Sequence, residues 1–175
     1  MCVILMHRIN TPWTSPVCFA YCFDINHLND VFLGAFMSNF NNSTAVVSWG
    51  NVSLRVYSSD GQNVTEKCWD GGGPWYVGAM KAVGQSVSAA SWLDTGGQIH
   101  IRVYVSNQGK IVEYCWDKDK WYVGALSTDG THSSATAWYV NGAVHLRVYV
   151  TKVTGQVQEE CWDGGGPWYV GAYTG

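Results

Sequence analysis

The chain has 175 residues, room for one ordinary domain, with only 13% charged residues and a net charge of −3. No basic stripe is present, so nucleic acid is not an expected partner, and no apolar run approaches transmembrane length, so membrane insertion is not expected either. Aromatics reach 14%, Gly, Val, Thr, Ser and Tyr are common, and long helical periodicity is absent, which predicts an all-β fold of many short strands.

Residues 1–42 look unlike the rest of the chain. Met1 to Met6 is apolar but has no basic residue before it, a poor signal peptide, which leaves localisation open between cytoplasm and non-classical secretion. Cys22-Phe23-Asp24 nevertheless mirrors the later Cys68-Trp69-Asp70, and Arg8 lies 14 residues before Cys22 as Arg147 lies 14 before Cys161. The segment reads either as a degenerate partial repeat without its first strand or as a tail.

From residue 43 one unit recurs three times, over 43–82, 83–127 and 128–175. Its markers are Arg-Val-Tyr, then Glu-x-Cys-Trp-Asp in the first two copies or Glu-Glu-Cys-Trp-Asp in the third, then Trp-Tyr-Val-Gly-Ala. Cys68, Cys115 and Cys161 lie 47 and 46 residues apart, a period of one supersecondary unit used repeatedly. Each unit divides into four strand-like runs. The first runs are 45–50, 86–93 and 133–140; the second are 52–58, 98–106 and 143–151. The third are 63–69, 110–116 and 156–162; the fourth are 75–80, 121–126 and 168–173. Turn pairs such as Gln108-Gly109 and Asn141-Gly142 separate them. Four antiparallel strands at this period predict blades of a β-propeller. In the second run of the middle unit, His100, Arg102 and Tyr104 alternate with Ile99, Ile101, Val103 and Val105, so each set takes one face.

Cys22, Cys68, Cys115 and Cys161 share one column and therefore equivalent places in different units, too far apart to bridge or to converge on zinc. Buried free thiols are expected, with no metal site and no cofactor.

The charged and aromatic residues are concentrated. All four Arg, at 8, 55, 102 and 147, fall in one column; three of four Glu, at 66, 113 and 159, fall in another; nine of ten Trp fall in three. Arg and Glu lie across a hairpin and are expected to pair. A guanidinium fork and a carboxylate together suit adjacent sugar hydroxyls, and a Trp face suits the C–H side of a sugar ring. Trp49, Trp92 and Trp138 are expected in the core. Asp70, Asp117 and Asp163 are expected to cap turns, and His100 and His145 are not expected to act as ligand or base.

These motifs closely resemble those of the fungal fucose-specific lectins, the Aleuria-type lectins, and their short bacterial two-repeat relatives. The matching segments are Leu54-Arg55-Val56-Tyr57, Glu66-Lys67-Cys68-Trp69-Asp70 and Trp75-Tyr76-Val77-Gly78-Ala79 with their two later copies. The resemblance implies a six-bladed propeller with L-fucose or fucosylated glycans bound between adjacent blades. Arg, Glu and an Ala backbone N–H would come from one blade, and two Trp from the next. Carried over, the first set is Arg55, Glu66 and Ala79 with Trp116 and Trp121. The second is Arg102, Glu113 and Ala125 with Trp162 and Trp168. A third, Arg147, Glu159 and Ala172, needs Trp69 and Trp75 of another chain. Ile99 and Ile101, or Val144 and Leu146, would line a pocket for the sugar methyl group. The turns 71–74 and 164–167 carry one residue more than 118–120, which loosens the expected placement of Trp75 and Trp168. Three units cannot close six blades, so a homo-oligomer is expected, a homodimer being favoured; alternatively the chain is a fragment of a six-unit protein.

The function expected is thus a multivalent carbohydrate-binding lectin. The alternative is a protein-interaction propeller, suggested by the period and the Trp-Asp pair, although no Gly-His precedes the unit. An enzyme is not expected. Hydrolysis of a glycoside needs two carboxylates, and each set offers one Glu whose pairing with Arg is expected to hold its pKa low; no residue is assigned a catalytic role.

Overall fold

The computed structural model describes residues 43–175, and the degenerate unit expected within 1–42 lies outside the described residues. Twelve strands follow one another. They are β1 (Ser43–Trp49), β2 (Ser53–Ser59), β3 (Asn63–Asp70), β4 (Tyr76–Val83), β5 (Ser86–Leu93) and β6 (Ile99–Asn107). Then come β7 (Lys110–Asp117), β8 (Lys120–Asp129), β9 (His132–Val140), β10 (Ala143–Thr151), β11 (Val157–Asp163) and β12 (Tyr169–Thr174). Each consecutive four make one antiparallel sheet in sequence order. Among the described residues no helix is long and apolar enough to cross a membrane.

The sheets are blades of a β-propeller. Their first strands, β1, β5 and β9, lie beside one another and are rich in Ser and Ala, which lets backbones approach closely. Ser43 Oγ accepts from the Val87 N–H at 2.7 Å, and Ser88 Oγ bonds Ser133 Oγ at 2.7 Å, so hydroxyls link neighbouring sheets where they converge. Two hairpins close on the two-residue loops Gln108-Gly109 and Asn141-Gly142, with φ positive at all four residues, the geometry that matches strand twist.

The core sits between sheets. Ile101, Val103 and Val105 from one face of β6 pack with Val47, Tyr57, Val64 and Met80 of the first sheet. Tyr104 from the opposite face packs with Leu126 of its own sheet and with Val148 and Val150 of the third. The period of two therefore sends alternate residues of β6 into two separate cores, which is why Tyr104 is as buried as Val103.

The two outer faces lack that cover among the described residues. Val103 and Val148 are 0% exposed, whereas Val56 in the same column is half-buried and its cross-strand partner Val46 is 59% exposed. At the other end Tyr173 is 50% exposed, where the equivalent Met80 and Leu126 are 1% and 3%.

In each sheet the pairing of the third and fourth strands breaks register. Lys67 pairs with Val77 and Thr65 with Lys81, so Glu66 alone faces Gly78, Ala79 and Met80. Glu113 faces Gly124, Ala125 and Leu126, and Glu159 faces Gly171, Ala172 and Tyr173, in the same way. These bulges are not visible in the strand pattern. Past them the fourth strand resumes, so β4 reaches Val83 and β8 reaches Asp129 rather than ending at 80 and 126.

Candidate functional site: clefts between adjacent sheets

The bulge wraps the Glu carboxylate. Glu66 Oε2 accepts from the Met80 N–H at 3.1 Å, and Glu113 Oε2 accepts from the Ala125 and Leu126 N–H groups at 3.0 and 3.3 Å. The other oxygen accepts from a tyrosine hydroxyl of the second strand: Tyr57 to Glu66 at 3.0 Å, Tyr104 to Glu113 at 3.3 Å, Tyr149 to Glu159 at 3.0 Å. A Cβ on Gly78, Gly124 or Gly171 would fall inside contact distance of the carboxylate, which explains the glycine of the Gly-Ala motif. The Ala125 N–H, expected to face a ligand, is directed to Glu113 instead.

The Arg side chains do not fork onto Glu. Arg102 Nε stays 3.8 Å from Glu113 Oε1, and Arg147 Nε 3.8 Å from Glu159 Oε1. The fork goes to the Asp of the Trp-Asp pair. Arg102 Nη1 and Nη2 donate to the two oxygens of Asp117 at 3.1 and 3.2 Å, Arg55 to Asp70 at 2.9 and 3.4 Å, and Arg147 to Asp163 at 2.9 and 3.3 Å. The expectation that these Asp residues cap turns is therefore corrected. Counting cross-strand partners would have found them. Arg102 pairs with Cys115 and His100 with Asp117, so Asp117 lies one diagonal step from Arg102.

More groups converge on the same carboxylates. Tyr122 and His100 Nδ1 bond Asp117, Tyr169 and His145 Nδ1 bond Asp163, and Tyr76 donates to Asp70 at 2.5 Å. His100 lies flat on Trp92 and His145 on Trp138, with centroids 5.1 and 5.3 Å apart. The guanidiniums of Arg55, Arg102 and Arg147 lie over Trp49, Trp92 and Trp138 at 4.8, 4.8 and 5.1 Å. This Trp column, expected in the core, also forms a platform beneath the Arg. Trp92 is 8% exposed and Trp49 packs against the first core, as expected, whereas Trp138 of the third sheet is 41% exposed.

Accounting for the Arg102 donors shows what is left. Nη1 donates to the Ile101 carbonyl and to Asp117, and Nη2 gives one N–H to Asp117. The second Nη2 hydrogen and the Nε–H have no closer partner among the described residues. The Nε stands 3.8 Å from Glu113 Oε1, and Arg102 and Glu113 both line a cleft of about 180 Å³. The next sheet supplies the far wall with Trp162, Trp168 and Leu146, the last 2% exposed. Val144, proposed with Leu146 for a methyl pocket, lines a neighbouring cleft instead. Between the first and second sheets a cleft of about 470 Å³ holds Arg55, Glu66 and Ala79 against Trp116, Trp121, Ile99 and Ile101. Trp121 meets Tyr57 edge-on at 6.1 Å and Trp168 meets Tyr104 edge-on at 6.4 Å, so the longer turn before Trp168 leaves its place unchanged.

The third set is split. Arg147, Glu159 and Ala172 lie on the uncovered face of the third sheet. Trp69 and Trp75 lie on the first sheet, stacked at 6.4 Å, with Trp75 49% exposed and the Trp69 indole donating to the Gly73 carbonyl.

Electrostatics differ along the cluster. Burial raises the Glu113 carboxyl above its ordinary value, against the Leu126 and Ala125 N–H groups, the Arg102 charge and the Tyr104 hydroxyl. The expected net depression does not result, because burial outweighs the lowering by the Arg102 charge and the hydrogen-bond donors. Asp70 and Asp163 are held below the usual range, first by Arg55 and Arg147 and then by Tyr76 and Tyr169. Asp117 is lowered as well: burial pulls it up, but Tyr122, His100 and Arg102 together outweigh that. Cys68, Cys115 and Cys161 are free and buried as expected, and burial pushes the Cys115 thiol up to about 12, which leaves it unreactive.

Residues 18–149 match the family described as fungal fucose-specific lectin. Among solved structures, a fucose lectin from Kordia zhangzhouensis in complex with methyl-fucoside is 44% identical at a TM-score of 0.65, covering 75% of this chain and 99% of its own. The SapL1 lectin, in complex with alpha methyl fucoside, is 30% identical at a TM-score of 0.69 over 78% of this chain and 50% of its own. The Aleuria aurantia lectin, described as a six-bladed β-propeller, is 27% identical at a TM-score of 0.60 over 79% of this chain and 48% of its own. The chain thus spans about half the length of the latter two and nearly all of the first. No curated protein matches it.

Proposed function

The chain belongs to the fungal fucose-specific lectin family, and from that premise we propose that it is a multivalent lectin binding L-fucose and fucosylated glycans in the clefts between adjacent sheets. The observation that carries this reading is the Arg102 cleft. Arg102, with its Nε–H and one Nη2 hydrogen not engaged by a hydrogen bond among the described residues, and Glu113 line a single-ring space, with two indoles and a buried Leu opposite. A sugar hydroxyl both donates and accepts, so a vicinal pair satisfies Arg102 and Glu113 together. The indoles cover the C–H face of the ring. Leu146 suits the C6 methyl of a 6-deoxy sugar and leaves a C6 hydroxyl without a partner, which disfavours L-galactose, the 6-hydroxy counterpart of L-fucose, while D-galactose differs in configuration throughout the ring. Arg55, Glu66 and Ala79 with Trp116 and Trp121 form the second complete site. Arg147, Glu159 and Ala172 form a third when another copy supplies Trp69 and Trp75.

The protein acts by binding and not by hydrolysis. Each cleft holds one Glu, and the nearest second carboxylate is already engaged by Arg, Tyr and, at Arg102 and Arg147, His. Single sites of this kind bind weakly to moderately, and affinity for glycan-covered surfaces comes from several acting at once.

Titration calorimetry with methyl α-L-fucoside and with D-galactose tests the reading. Heat is expected from the fucoside alone; equal heats from both, or none from either, overturn it. Arg102→Ala should remove one site per chain and leave the circular dichroism spectrum unchanged.

A further inference from the structure

A second cleft lies between the second and third sheets and shares only Arg102 and Trp162 with the Arg102 cleft. Its volume is about 360 Å³. One wall carries Asp94 and His100, the other carries Tyr139 and the side of Trp162.

This cleft owes its walls to features found once among the described residues. The loop from β5 to β6 has five residues, Asp94 to Gln98, against three in the first sheet and two in the third. It is a fixed loop. Asp94 Oδ1 accepts from the Gly96 and Gln98 N–H groups at 2.8 and 2.9 Å, and the Asp94 carbonyl accepts from the Gly97 N–H at 2.9 Å. Asp94 Oδ2 meets His100 Nε2 at 3.3 Å, and the Asp94 side chain keeps 32% of its surface exposed. Opposite, Tyr139 pairs with Val144 as Leu93 pairs with Ile99, so a Tyr stands where the middle sheet has Leu.

We infer that this cleft is a subsite for the neutral sugar ring linked to the fucose held at Arg102. The inference rests on the fucose reading above. Asp94 accepts hydrogen bonds from the hydroxyls of that ring, and Tyr139 and Trp162 flank its C–H faces. A carboxylate at the lip favours a neutral ring over a sialylated or sulfated one. Among the described residues the Arg55 site lacks these groups: Ser53 stands in place of His100, the loop from β1 to β2 is Gly50-Asn51-Val52, and Lys118 stands among its lining residues.

The test uses the full chain carrying Arg55→Ala and Arg147→Ala, so that only the Arg102 site reports. It is titrated with methyl α-L-fucoside and with disaccharides in which fucose is α1-2, α1-3, α1-4 or α1-6 linked to a neutral sugar. At least one disaccharide is expected to bind about fivefold or more tightly than the methyl fucoside, the worth of one or two net hydrogen bonds. Asp94→Asn, whose amide oxygen still serves the loop, and Tyr139→Ala should each erase that advantage. Methyl fucoside affinity should stay within about twofold in both, by the same arithmetic. No disaccharide advantage, or one that survives both substitutions, overturns the subsite. Failure to bind methyl fucoside at all overturns the fucose reading instead.

Discussion

Asp117 is the meeting point of three side chains: both ends of the Arg102 fork, the Tyr122 hydroxyl and His100 Nδ1 all bond its carboxylate. It does not line the cleft proposed for the fucose ring, although it lines the neighbouring one, and it acts on the fucose through the arginine, fixing which two N–H groups remain for a ligand. Asp117→Asn keeps the shape but removes the charge and one acceptor. On the Arg55→Ala, Arg147→Ala background it is expected to weaken fucoside binding by about tenfold, the scale of one charge-assisted hydrogen bond, with an unchanged circular dichroism spectrum. The same carboxylates set the acid limit. Because the folded pKa values of Asp70, Asp117 and Asp163 are depressed, their stabilisation is complete above the ordinary Asp value of about 4 and is lost as pH falls through the lower folded values. Glu113 has the opposite sign. Its folded pKa is raised, so its contribution is present below the unfolded value and lost as pH rises through the folded one. Urea midpoints followed downward from neutral pH should therefore fall below about pH 4, and Asp117→Asn should flatten that fall. An identical acid profile in the variant would remove Asp117 from the account.

The fourth strand with its bulge is the element that decides the site. Gly124 sits where a Cβ would meet both the Glu113 carboxylate and Cys115 Sγ, and Glu113 is 3% exposed with little room to withdraw. Gly124→Ala is expected to destabilise by about 1–3 kcal/mol, as other overpacked sites do, and to weaken binding at Arg102 by moving the carboxylate. Gly73→Ala, in a turn with open space and no positive φ, should change neither melting temperature nor binding. Scanning calorimetry of the two variants compares them directly. The bulge also marks where the sequence stops being legible. Strand number, the alternation of β6 and the column membership of Arg, Glu and Trp follow from a period of two inside a period near 46, so they are readable from spacing. That Glu113 turns to backbone N–H groups depends on extra residues in one strand. A run such as Tyr122-Val123-Gly124-Ala125-Leu126 reads as plain strand with or without them. His100 and Trp92 were readable in position but not in role, because a stacked pair that supports a guanidinium and a pair that fills a core have the same spacing.

At the scale of the molecule, the two outer faces are proposed to be complementary halves of one junction. Inside the chain, Val103 meets the Tyr57, Val64 and Met80 face, and Val148 meets the Tyr104, Ile111 and Leu126 face. Val56 and Val46 present the first kind of surface, and Tyr149, Val157 and Tyr173 the second, each without a neighbour among the described residues. A contact between unlike faces is heterologous, and it closes rather than forming a filament if the rotation completes a ring. Three blades turned by a two-fold axis make six, with two identical junctions. In this proposal each junction would bring Trp69 and Trp75 of one copy to Arg147 and Glu159 of the other. Mass and binding stoichiometry are thereby coupled. On the proposed reading the closed pair would hold three fucoside sites per chain and a separated chain two. Val56→Glu places a carboxylate on a face that is half-buried in the single chain, so the chain should stay folded while the junction fails. The same change at Val103, 0% exposed, should unfold it. Light scattering is expected to give the mass of two chains for the parent and one for Val56→Glu, with calorimetric stoichiometry dropping from three to two. A parent that is monomeric yet binds three fucosides per chain would show that something other than a second copy completes the Arg147 site.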